Sequence, residues 1–210
     1  MTEPRGARLP QSFFDRDCLE VARDLLGRHL RKGGVALRIT EVEAYRGPTD
    51  TASHSTAGVT ARTEPMFGPP GHAYVYLIYG LHQMLNLVAR PAGAAVLIRA
   101  AEPMAGLETI RARRGGKVGP VLLTGPGKVG QALAIDRSFS GHPLYEPGGL
   151  EVLAGAPVEA WLEGPRVGID YAEPHDRDAP WRLAVPGTRW VSQRRTLRPP
   201  GQAGPPGPPG

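Results

Sequence analysis

A single cysteine, Cys18, stands in the 210 residues. No internal disulfide and no cysteine-based zinc site can therefore form, which suits a reducing compartment. Lysine is almost as scarce, present only as Lys32, Lys117 and Lys128, so arginine carries nearly all of the net charge of +5. No apolar run approaches the ~18 residues of a membrane span, and no charged-then-apolar leader opens the chain. The expectation is a soluble, cytoplasmic protein with no membrane partner. The hydrophobic fraction of 40% is modest because 28 Gly and 23 Pro take up much of the chain. That composition reads as one loop-rich domain and argues against a helical bundle.

What is present is a basic balance, with a pI of about 9.7. It favours a polyanionic partner such as nucleic acid, and arginine suits bidentate phosphate contacts. Charge alone is weak support, since an arginine-rich composition has other origins. Residues 1–10 read as a flexible arm, 11–196 as the folded domain, and 197–210 as a disordered Gly/Pro tail. Gly201, Gly204, Gly207 and Gly210 set a Gly-X-Y phase in that tail. Its few triplets cannot hold a triple helix, so it reads as polyproline-like chain.

Ser12 and Asp15 are candidate caps for a helix running to Leu26, with Gly27 as its stop. A strand pair follows, clearest at Val35–Val42. Residues 46–72 form a long irregular stretch, the kind that is usually functional in a compact domain. Strands at Ala73–Tyr79, Met84–Ala89 and Ala94–Ala101 read as a meander. Short helices are expected at 104–114 and from Gly125 through Leu133. Later short strands fall near Leu150–Leu153, Val158–Leu162 and Trp181–Val185. The fold class is α+β: a single domain with a mainly antiparallel, curved β-sheet and surrounding helices.

The chemistry concentrates in two stretches. Alternate residues of a strand share a face, so Glu41, Glu43 and Tyr45 line up where an apolar strand meets a loop. Desolvation there strengthens Glu43 as a base; the plainer reading is a strand-end glutamate paired with arginine. Tyr74, Tyr76 and Tyr79 are three of the six tyrosines. Tyrosine favours strands in any case, yet with Tyr45 these rings suggest a slot for a flat base. Asp50 and His54 have no third ligand in register, so no metal is expected. Gly125-Pro126-Gly127-Lys128 lacks the spacing of a nucleoside triphosphate loop. A lysine at a helix start can still meet a backbone phosphate.

Taken in order, several blocks resemble one family, the alkyladenine (3-methyladenine) DNA glycosylases. The blocks are Glu41-Val42-Glu43-Ala44-Tyr45-Arg46-Gly47-Pro48, His54-Ser55, Arg62-Thr63, Met66-Phe67 and Tyr74 through Gly80. They continue with Asn86, Val96 through Ala100, Glu102-Pro103, Gly125 through Lys128, Arg166 through Ile169 and Trp190-Val191-Ser192. The resemblance makes 11–196 the DNA glycosylase domain and implies the following roles. Glu43 is the general base on water and Arg99 helps hold that water, with a further contact from the backbone near Val167. Tyr45, His54 and Tyr76 sandwich a flipped base, Asn86 crowds out normal guanine, and Tyr79 wedges into the duplex gap. Arg62 and Lys128 are candidate phosphate contacts. Glu41 is left as a structural or surface partner.

The implied activity is monofunctional, cofactor-free release of alkylated or deaminated purines. Those are 3-methyladenine and, further afield, 7-methylguanine, hypoxanthine and ethenoadenine, from double-stranded DNA in base-excision repair, by a monomer. The alternatives are a non-catalytic nucleic-acid-binding module, which would not need Glu43 with Arg99, and a hydrolase of free nucleosides, which would not need Tyr79.

Overall fold

The apolar run that opens at Val35 becomes, with its neighbour, the spine of the molecule. The computed structural model describes residues 6–202. Two short helices, α1 (Gln11–Phe14) and α2 (Cys18–Leu25), lead into strands β1 (His29–Lys32) and β2 (Val35–Arg46). After the irregular stretch come β3 (Ala73–Ile78), β4 (His82–Ala89) and β5 (Ala94–Ala105), then α3 (Leu107–Arg113) and α4 (Pro126–Leu133). β6 (Leu150–Leu153), β7 (Leu162–Gly164), α5 (Pro174–Arg177) and β8 (Arg182–Ala184) follow among the described residues. All eight strands join one sheet in the order β3-β4-β5-β2-β1-β6, with β8 on β2 and β7 on β8. Each pairing is antiparallel, as the α+β expectation requires.

The helix expected from Ser12 to Leu26 is broken into two. Asp17 leaves the helical conformation and its side chain accepts from the Leu19 N–H at 2.8 Å, capping a fresh helix start. α2 then turns Cys18, Val21, Ala22 and Leu25 into the core. The Cys18 thiol is pushed up to about 12 by burial and the Asp17 carboxylate, so it is inert packing. The strand expected at Val158–Leu162 starts later, as β7.

Both ends of the domain reach past the expected boundaries. Leu9 N–H donates to the Val152 carbonyl at 2.9 Å and Ala154 N–H to the Ala7 carbonyl at 2.7 Å, so residues 7–9 run beside β6. At the other end Leu197 is buried and Arg198 exchanges backbone hydrogen bonds with Glu163. Residues 1–5 of the arm and 203–210 of the tail lie outside the described residues.

The β2–β5 ladder carries the irregularity that makes the site. Its register shifts around Glu41 and then returns, with Ile39 opposite Ala101, Glu41 opposite Ala100 and Val42 opposite Ile98. Thr40 and Arg99 are the extra residues, one on each strand. The core-facing phase therefore switches: Leu37 and Ile39 face the main core before the shift, Val42 and Ala44 after it, and on β5 Ile98 gives way to Ala101. A bulge changes which residues face the core without ending the strand. Glu41, Glu43 and Tyr45, with Leu97 and Arg99 across from them, are thereby turned to the opposite face.

Candidate active site

On that face four alternating charges form a chain through the interior. Arg182 donates to Glu41 at 2.9 Å, Glu41 meets Nε of Arg99 at 3.3 Å, and the same guanidinium reaches Glu43 at 3.3 Å. Both glutamates and Arg182 are fully buried and Arg99 is nearly so. Ser192 closes the Glu41 end, donating its N–H at 2.7 Å and its hydroxyl at 2.9 Å. Glu41 is therefore interior structure, and the surface alternative falls away. Burial opposes the charge on Arg99, yet Glu43 and Glu41 push its guanidinium above its ordinary value, as neighbouring opposite charges do.

Glu43 has three donors. Its Oε1 accepts the Val167 N–H at 2.8 Å and faces Arg99, and its Oε2 accepts the Tyr45 hydroxyl at 3.1 Å. Burial first, then Glu43, pushes Tyr45 well above its ordinary value, so that hydroxyl remains a donor. Behind Tyr45 sits Arg166, whose guanidinium lies 4.7 Å from the ring centroid. Arg166 grips both oxygens of Asp50 and also donates to the carbonyls of Ala44 and Asp176. Asp50 is thus an anchor for Arg166, while His54 turns elsewhere.

The other wall comes from β3 and the 3-10 turn His54–Ala57. Tyr74 and Tyr76 alternate onto one face and stack, centroids 5.6 Å apart. The His54 ring stands edge-on to Tyr76 at 4.5 Å. His54 is lowered to about 4 by burial and the neighbouring Arg62, so it is neutral at pH 7. Arg62 approaches Nε2 at 3.4 Å, and a guanidinium only donates. The His54 proton therefore lies on Nδ1, which donates to the Tyr74 hydroxyl at 3.1 Å. Burial pushes the Tyr74 and Tyr76 hydroxyls up as well.

Between the walls lies a cavity of about 490 Å³ that Glu43, Tyr45, His54, Tyr76, Asn86 and Arg99 all line. Glu43 is a fully buried part of its wall. Asn86, opposite Tyr74 and Leu97 in the sheet, donates its amide to the Tyr74 carbonyl at 3.1 Å. At the mouth two tyrosines stand open, Tyr79 at 84% exposure and Tyr171 at 71%. Tyr79 tips the β3–β4 hairpin with φ +53, followed by Gly80 at φ +67. Two successive positive φ values, closed by Leu81 N–H to the Ile78 carbonyl at 3.1 Å, make a tight hairpin turn that aims the tyrosine outward.

Arg62 lies over Tyr76 at 5.5 Å from its centroid, at the cavity lip. Lys128 is in the first turn of α4, its ammonium donating to the Thr124 carbonyl at 2.9 Å. Burial, Arg114 and Lys117 lower it. The structure thus brings the two catalytic candidates, the four pocket candidates and the hairpin tyrosine to one cavity, with Arg62 at its lip and Lys128 just beyond Pro126 of its lining. Sequence reasoning missed Arg182, the bracing role of Arg166 and the rim residue Tyr171. Only Arg166 lay in a recognisable block; Arg182 and Tyr171 carried no local pattern.

A buried carboxylate beside a slot of aromatic rings, with an aromatic side chain displayed outside, suits hydrolysis at a flat ring. The comparisons give the particular family. Residues 12–189 match the family described as Methylpurine-DNA glycosylase (MPG). A putative 3-methyladenine DNA glycosylase of Nitrosococcus oceani is 63% identical over 193 residues, 91% of this chain and 96% of the relative. The DNA-3-methyladenine glycosylase of Arabidopsis thaliana is 58% identical over 196 residues, 91% of this chain and 77% of the relative. A putative 3-methyladenine DNA glycosylase of Rhizobium meliloti is 50% identical over 183 residues, 87% and 95% of the two chains. The chain belongs to the methylpurine-DNA glycosylase family, and it is a DNA glycosylase.

Proposed function

We propose that this enzyme flips alkylated purines, 3-methyladenine first among them, out of duplex DNA and hydrolyses the C1′–N bond with Glu43 as general base. The observation that carries the reading is Glu43 itself, a fully buried carboxylate between Arg99 and the Val167 N–H at the end of an aromatic slot. The relatives named for 3-methyladenine point to the same substrate.

The target bond lies inside the helix, so the nucleotide must turn out, at a cost of a few kcal/mol that is least for a damaged pair. Tyr79 fills the vacated stack. The base enters between Tyr45 on one side and His54 with Tyr76 on the other. A methylated purine is cationic, so ring faces attract it. A water held by Glu43 and Arg99 then attacks C1′: its oxygen bonds to the sugar, its proton goes to Glu43, and the base leaves with the bonding electron pair as a neutral purine. No lysine lines the cavity, so no Schiff base forms and the product is an abasic site in an uncut strand. Asn86 excludes guanine by crowding its exocyclic amino group. Arg62 and Lys128 hold backbone phosphates on either side of the cavity, and the enzyme acts as a monomer.

Neutral lesions need a proton on the departing base. His54 is lowered to about 4 and the Tyr45, Tyr74 and Tyr76 hydroxyls are raised by burial, so neither that imidazole nor those hydroxyls is an effective acid at pH 7. Release of 3-methyladenine and 7-methylguanine should therefore outpace release of hypoxanthine or ethenoadenine by at least about tenfold.

The decisive experiment is release of 3-methyladenine from methylated duplex DNA. Glu43→Gln should lower the single-turnover rate by at least about a hundredfold while binding to damaged duplex is kept. Undiminished release by that variant would overturn the assignment. Equal cleavage of free damaged nucleosides by the wild type would favour the nucleoside-hydrolase alternative.

A further inference from the structure

Tyr171 lines the cavity but has no part in the reaction as written. The residue is 71% exposed, an unusual state for so large a side chain at the edge of a cavity. It is nonetheless held in place, because its hydroxyl donates to the Ala52 carbonyl at 3.1 Å. The segment that carries it also supplies Val167, whose N–H binds Glu43, and Ile169, which packs with Ala52, Ala172 and Tyr45. One short run of chain therefore holds both the carboxylate and the exposed ring.

We propose that Tyr171 packs its ring on the deoxyribose of the flipped-out nucleotide and holds that nucleotide at the cavity mouth. This rests on the function proposed above. With the base between Tyr45 and the His54–Tyr76 pair, and its glycosidic carbon toward Glu43, the sugar and its phosphates must leave through the mouth, where Tyr171 stands. Covering an open aromatic face with the apolar face of a sugar is favourable burial. A contact to the sugar is blind to the base. Tyr171 thus acts on every lesion alike, whereas the rings that sandwich the base discriminate among lesions.

The test compares wild type with Tyr171→Ala, Tyr171→Phe and Tyr76→Ala. Two substrates carry 3-methyladenine or 7-methylguanine; a third duplex carries a tetrahydrofuran abasic analogue, which has a sugar ring and no base. Tyr171→Ala should weaken binding of the abasic-analogue duplex by about tenfold, the loss typical of one well-packed aromatic contact. It should raise the half-saturating enzyme concentration by the same factor for both lesions, while the saturating rate changes less than about threefold. Tyr171→Phe should keep most of the binding, and Tyr76→Ala, which removes a ring that holds the base, should affect the two lesions unequally. Unchanged abasic-analogue binding by Tyr171→Ala, a defect confined to one lesion, or Tyr171→Phe as weak as Tyr171→Ala would each overturn the proposal. Should wild type release neither base, the proposed function fails, and the abasic-analogue arm still decides the role of Tyr171.

Discussion

His54 shows how a single side chain acquires its state from its neighbours. An isolated histidine is half protonated near pH 6.5, but burial and Arg62 lower this one to about 4. The unfolded chain then binds a proton between those values that the folded chain refuses. Its contribution makes the fold less stable as pH falls from about 6.5 towards 4, and the penalty is absent above that window. NMR titration of the imidazole should show it neutral at pH 5, and His54→Gln should flatten that part of the stability profile. The residue type and the aromatic company of His54 were legible in the sequence. Its tautomer and its shift were not, because both depend on Arg62 and Tyr74 arriving in space. Arg182 makes the same point more strongly: its carboxylate partner, Glu41, lies 141 positions away, and nothing local distinguishes it from the other arginines.

At the scale of elements, alternation correctly placed Glu41, Glu43 and Tyr45 on one face. It could not show the paired irregularity at Thr40 and Arg99 that turns that face from the core, since apolar residues continue through the shift. The three-strand meander was readable from its turns, and its tightest turn carries a cost. Tyr79 holds φ +53, a region that strains residues with a side chain. Tyr79→Gly should leave the free energy of unfolding equal or raise it by up to about 1 kcal/mol, measured by denaturant melts, while reducing base release from duplex DNA.

Helix α4 is placed by the reverse device, an absent side chain. A Cβ on Gly130 would stand 2.2 Å from the Gln83 carbonyl oxygen of β4. Gly130→Ala should destabilise the protein by roughly 1–3 kcal/mol through overpacking, and should move Pro126 at the cavity wall.

Across the whole molecule, the interior around the site packs the buried carboxylates of Glu41, Glu43 and Asp50 against the buried guanidiniums of Arg99, Arg166 and Arg182. Removing one partner strands its opposite in a dry interior. Arg182→Met should therefore cost about 3–5 kcal/mol, read as a lowered denaturation midpoint. With a net charge of +5, affinity for undamaged duplex should fall linearly on a log–log plot against salt, and Lys128→Ala should reduce that slope by about one.

The strand that carries Glu43 is also the centre of the sheet, bonded to β5 along one edge and to β1 and β8 along the other. Its amides have no route to solvent short of dismantling the domain, whereas the hairpin tip at Tyr79 is open. Hydrogen exchange should divide the machinery accordingly. The Glu43 amide should exchange only through global unfolding, and amides at the Tyr79 turn through fast local opening. The carboxylate is in this sense set in place by the same bonds that hold the sheet together, while the tyrosine at the hairpin tip is left exposed.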